Sequence, residues 1–168
     1  MYVLITLDQM AVNPGAKELA EVATPERLPI VDAALMHARL TGASRAAWQP
    51  EELDACEQAV SRINAAITDA AGLIDGFLAV RGYLPLQQIP DILVVWCRAI
   101  VRYKLHINRL NADDKDPITR DYNDALKLLR LTADGKFSLG ATDPVSTSSN
   151  APEWSAGQST LRNALADY

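Results

Sequence analysis

Two apolar seams of equal length, separated by a proline-marked corner, occupy residues 50 to 110 and leave the chain few ways to fold. In the first, Cys56, Val60, Ile63, Ile67, Ala70, Ile74 and Phe77 alternate by four and three, which puts all seven on one face of a helix. After Gly82-Tyr83-Leu84-Pro85-Leu86 the alternation resumes at Ile89, Leu93, Trp96, Ile100, Tyr103, Ile107 and Leu110. Long seams joined by a short connection bury one another most easily as an antiparallel pair. Asp116-Pro117 then reads as a cap and first-turn proline of a third helix ending at Gly135, with Ile118, Tyr122, Ala125, Leu126 and Leu129 on one face. The fold class this predicts is all-α: a small bundle of two long antiparallel helices and a third, with short N-terminal helices and an extended C-terminal arm.

The rest divides around that core. Residues 1–49 hold the short helices, 50–140 the bundle and 141–168 the arm. Tyr2 to Ile5 is β-prone, and Thr6-Leu7-Asp8-Gln9 fits a capping box that opens a brief helix. Asn13-Pro14-Gly15 stops that helix, and Ala16 to Ala23 has helical composition. Thr24-Pro25-Glu26 pairs a capping hydroxyl with a first-turn proline, but Pro29 restarts the chain, so the firmer helix is Ile30 to Leu40, ended by Gly42. Pro50-Glu51-Glu52 opens the first long helix with carboxylates near its positive end. Within it Gly72 and Gly76 lie one turn apart, each costing about 1 kcal/mol against alanine. They mark either close backbone approach by a neighbour or a loosened helix end.

At 168 residues, 49% hydrophobic and 22% charged, the chain can bury one modest core. Its net charge of -5 and pI near 5.0 argue against a free duplex-binding protein. Cys56 and Cys97 do not sit at framework spacings, and no basic leader precedes an apolar stretch, which predicts a chain kept in a reducing cytosol. The longest unbroken apolar run, Ile92 to Cys97, is far shorter than the roughly 20 residues a bilayer requires, so no membrane segment is expected.

Catalytic signals are sparse. His37, His106 and the two cysteines share no metal-ligand spacing, and Asp113 to Asp116 lacks the sixth-position glycine and closing glutamate of a calcium loop. No phosphate-binding loop or nucleophile elbow occurs, so neither a cofactor nor an enzyme activity is expected. One charged pattern stands out. Arg98, Arg102, His106 and Arg109 repeat at four, four and three, a stripe that meets phosphate or an acidic subunit, or else lies as a solvated face with arginine stems over apolar surface. Beyond Gly140, a Ser/Thr/Pro/Gly-rich composition carries the spaced anchors Trp154, Leu161, Leu165 and Tyr168, which predicts an arm ordered on a partner.

The runs Asp69 to Leu78, Arg81-Gly82-Tyr83-Leu84-Pro85-Leu86, Ile89-Pro90, Ile100-Val101-Arg102-Tyr103-Lys104-Leu105-His106, Tyr122 to Leu129 and Gly135-Lys136-Phe137-Ser138-Leu139-Gly140 together resemble the small head-tail connector family of Mu-like tailed bacteriophages and prophages. The likeness covers roughly residues 54–140, with a weaker echo in Met1-Tyr2 and Thr6 to Met10; residues 24–49 look like an insertion. It implies a helical virion protein without enzymatic activity, located at the head–tail junction and in the host cytoplasm during assembly. It further implies a ring of identical subunits, typically twelve, between the portal protein and a tail-side connector or tail terminator protein. Genomic DNA would pass through without sequence-specific binding. On this expectation Trp154, Leu161, Leu165, Tyr168, Gly72 and Gly76 face other subunits or the portal. The alternative is a helical DNA-binding phage regulator that uses the Arg98 to Arg109 stripe.

Overall fold

The computed structural model describes residues 3–109 and 116–140. Among them, order along the chain is α1 (Leu7–Met10), a kinked turn (Ala11–Gly15), α2 (Ala16–Ala23), α3 (Ala33–Thr41), α4 (Pro50–Arg81), α5 (Asp91–His106) and α6 (Pro117–Ala133), with no strand. The chain is all-α. The β-prone start forms no ladder; Leu4 and Ile5 instead bury their side chains as irregular chain before α1.

Local chemistry sets most boundaries. Thr6 Oγ1 accepts from Gln9 N (3.3 Å) while Gln9 Oε1 accepts from Thr6 N (2.9 Å), closing the expected capping box. Asn13 leaves helical geometry at φ -148°, ψ 118°, and Gly15 follows at φ +105°, a region glycine enters without a Cβ penalty. The chain therefore turns before α2.

The expected helix from Ile30 to Leu40 needs correction. α3 starts three residues later because Asp32 Oδ1 accepts from Ala34 N and Leu35 N (2.8 and 3.1 Å), which makes Asp32 the cap. Thr24, expected to start a helix, closes one: its hydroxyl donates to Ala20 O (2.5 Å) and accepts from Val31 N (3.2 Å). Arg62 adds donations to Ala23 O and Thr24 O at 3.2 and 3.3 Å, satisfying carbonyls that α2 leaves open at its end.

α4, α5 and α6 pack as a three-helix bundle, with α1 to α3 laid against it. Cys56, Val60, Ile63, Ala70, Ile74 and Leu78 of α4 are buried against Leu93, Trp96, Cys97, Ile100, Val101 and Leu105 of α5 and Ala125 and Leu129 of α6. One continuous core runs from Leu4 to Leu129. The second seam stops earlier than its spacing suggests, because α5 ends at His106 and Ile107 turns out to solvent. Arg109 N donates to His106 O (2.7 Å) in the turn that follows. Tyr103 leaves the seam to stack on Tyr122 of α6, rings 3.9 Å apart and nearly parallel.

The corner behaves as its residues suggest. Gly82 ends α4 at φ +77°, Tyr83 is buried, and its hydroxyl accepts from Leu139 N (3.4 Å), tying the corner to the chain beyond α6. Asp116 caps α6 through Ile118 N and Thr119 N, and Gly135 at φ +72° turns Phe137 back onto Trp96, centroids 5.8 Å apart.

By length and composition α4 is apolar enough to cross a bilayer, which a search for unbroken apolar runs does not reveal. Isoleucine, leucine, valine, phenylalanine and alanine, broken up by few polar residues in its second half, make it so. Its inner face belongs to the protein core.

Candidate functional site

The basic stripe lies on α5 and, at Arg109, on the turn after it, and three of its four members face the N-terminal region. Glu18 of α2 is the hub. Its carboxylate accepts from Arg102 Nε and Nη2 (2.5 and 2.8 Å), and Oε1 lies 2.9 Å from His106 Nε2. Burial alone would raise the Glu18 pKa, but the hydrogen bonds of Arg102 and His106 outweigh it and hold the carboxyl below its ordinary value. The same bond raises the pKa of Arg102. Arg109 Nη2 donates to Glu21 O (2.6 Å), so it too is turned toward α2.

The expectation of a stripe available to phosphate or an acidic partner is corrected for Arg102, His106 and Arg109. Their charges and donors clamp α2 to α5, because the Asn13-Pro14-Gly15 turn brings Glu18 across that face. Sequence reasoning missed Glu18, since 84 residues separate it from Arg102 and no local periodicity marks the pair.

Arg98 differs from the other three. Its Nε is shielded from solvent and has no hydrogen-bond partner among the described residues. It lines a groove of about 430 Å³ between α5 and α6, with Ile92, Val95, Trp96 and Ala99 on one wall and Leu128 on the other. Asp121 and Asp124 sit on the α6 side. Val95 is 51% exposed, and Ile92 and Val94 are half-buried. The unbroken apolar run of α5 thus exceeds what its own bundle covers.

Gly72 and Gly76 lie elsewhere, on the exposed face of α4. A Cβ at either position would meet no atom within 4 Å, so the expected close approach by a neighbouring element of the same chain is absent. Trp154, Leu161, Leu165 and Tyr168 lie outside the described residues, as does most of the Asp113 to Asp116 loop.

No group of His, Cys, Asp or Glu among the described residues could hold a metal ion. Burial pushes up both thiols, Cys97 to about 12, which leaves neither as a ready nucleophile near neutral pH. A second cluster is structural. Glu57 accepts from Arg39 (2.7 and 3.0 Å) and Arg45 (2.5 Å), holding α3 and the following loop against α4.

A family model described as "Bacteriophage Mu, Gp36" matches residues 4–156, nearly the whole chain. The chain belongs to the phage Mu Gp36 family. Among Gp36 relatives, "Mu-like prophage FluMu protein gp36" of Haemophilus influenzae is 36% identical over 97 residues, covering 58% of this chain and 64% of that protein. "Gene product J" of Escherichia phage Mu is 33% identical over 75 residues, covering 45% of this chain and 50% of that one. The matched stretches span under two thirds of either relative's length. Gp36 membership makes this a protein of Mu-like phages and prophages, and supports a part in phage structure or assembly.

Proposed function

We propose that the protein is a head–tail connector: a ring of identical subunits beneath the portal that carries the DNA channel toward the tail-side proteins. The observation that carries this reading is the α5 face. Val95 stands exposed beside half-buried Ile92 and Val94, and Arg98 carries a buried, unpartnered Nε in the adjoining groove. Such a donor costs about 1–3 kcal/mol while unmade, and an apolar surface next to it gains by being covered. A neighbouring subunit supplies both an acceptor and the cover. Membership in a Mu-phage family fits a structural part.

The overall negative charge suits a conduit, since acidic walls repel passing phosphates. The competing reading, a duplex-binding regulator, draws on the basic stripe. That stripe offers little to DNA, because Arg102 and His106 are engaged by Glu18 and Arg109 by a backbone carbonyl. Electron microscopy of the purified protein mixed with its phage's portal tests the proposal. Closed rings stacked on the portal are expected. Monomers that ignore portal yet bind duplex with a steep salt dependence would favour the regulator.

A further inference from the structure

A second groove opens at the far end of the bundle, where the segment before α3 meets the start of α4. Val31, Leu35 and Ala55 form a buried apolar floor, Leu28, Pro29 and exposed Ile30 line the lip, and the space is about 340 Å³. Its opposite rim is acidic. Asp32 spends its carboxylate on the cap of α3 and Glu52 on Gln49 N (2.8 Å), whereas Glu51, exposed in the first turn of α4, makes no hydrogen bond or ion pair among the described residues.

We propose that this groove receives the chain's own segment 161–165, Leu161 and Leu165 filling the apolar floor and Arg162 pairing with Glu51. Three observations select that occupant. The first is charge: Arg162 is the one basic residue after Gly140, and it lies between two leucines spaced to reach a common surface. The second is reach. Twenty residues lie between Gly140 and Leu161, enough for about 70 Å when extended, and α4 covers about 45 Å between the corner and the groove. The third is the floor itself, which Val31, Leu35 and Ala55 make apolar, a surface suited to leucine side chains. The Gp36 family match ends at residue 156, so this segment lies beyond it.

The test is hydrogen exchange on the full chain. Amides at 28–35 and 159–166 are expected to exchange at least tenfold more slowly in the wild type than in the double variant Leu161→Asp, Leu165→Asp, with α5 and α6 unchanged. Glu51→Arg alone should release both stretches, and adding Arg162→Glu should restore protection. An oxidative cross-link between Glu51→Cys and Arg162→Cys, read by mass in a mixture of heavy and light protein, tells whether the segment comes from the same molecule or an adjacent copy; a link within one molecule supports the proposal, and a link only between copies overturns it. Unchanged exchange at 28–35 in the leucine variant, whether from an empty groove or one filled by another partner, overturns it. So does failure of the charge swap to restore protection.

Discussion

Glu18 ties α2 to α5, because Arg102 and His106 converge on it from α5. Glu18→Gln keeps the shape but loses the charge, and is expected to lower stability by about 1–3 kcal/mol, visible as a lower denaturant midpoint with an unchanged slope. The acid limb follows from the same contact. The folded pKa lies below the ordinary 4.5, so its stabilisation is complete above that value and is lost as pH falls through the lower folded one. Glu18→Gln should flatten the stability profile below pH 4.5; a variant with the wild-type acid limb contradicts the assignment. Gly76 tests the opposite situation, a residue that nothing touches. Gly76→Ala should raise subunit stability by about 1 kcal/mol through helix propensity. A loss instead would mean that something packs on that face in solution.

The corner between α4 and α5 fixes how the long helices return on each other, through the left-handed Gly82, the buried Tyr83 and the tie from Leu139 N to the Tyr83 hydroxyl. Replacing Tyr83 and Leu84 together by serine should cost about 3–5 kcal/mol, while Tyr83→Phe removes only a long hydrogen bond and should cost about 1 kcal/mol or less. Equal midpoints for the wild type and the double serine variant would show that the corner is a passive link. Elements of this kind are legible in sequence because their causes are local. The Thr6 to Gln9 box, the first-turn prolines of α4 and α6 and the alternating seam of α4 all act within one or two turns. What was not legible depends on partners far along the chain. Asp32 displaces Ile30 as the start of α3 through a side-chain bond that competes with the proline-led start, and Thr24 ends a helix because Val31 folds back to it. The stripe on α5 has the periodicity expected of it, yet its use is set by Glu18, which no pattern near Arg102 announces.

Among the described residues one continuous core leaves grooves open at its surface, among them the α5–α6 groove and the acid-rimmed groove at the start of α4. Cutting the chain after Gly140 should leave helicity by circular dichroism largely intact, since α1 to α6 all lie before that point and share one continuous core. An unfolded truncation would make the remaining residues part of the core. For the connector account the decisive surface is that of α5. Val95 is half exposed, so Val95→Glu should alter subunit stability by no more than about 0.5 kcal/mol, yet it places a charge where a neighbour is expected to pack. The most direct measurement is therefore the particle mass of wild-type and Val95→Glu protein, each incubated with portal rings and resolved by electron microscopy. The account predicts closed rings on the portal for the wild type and folded, unassembled subunits for Val95→Glu; wild-type protein that stays monomeric beside bare portals, or a Val95→Glu ring indistinguishable from wild type, would contradict it.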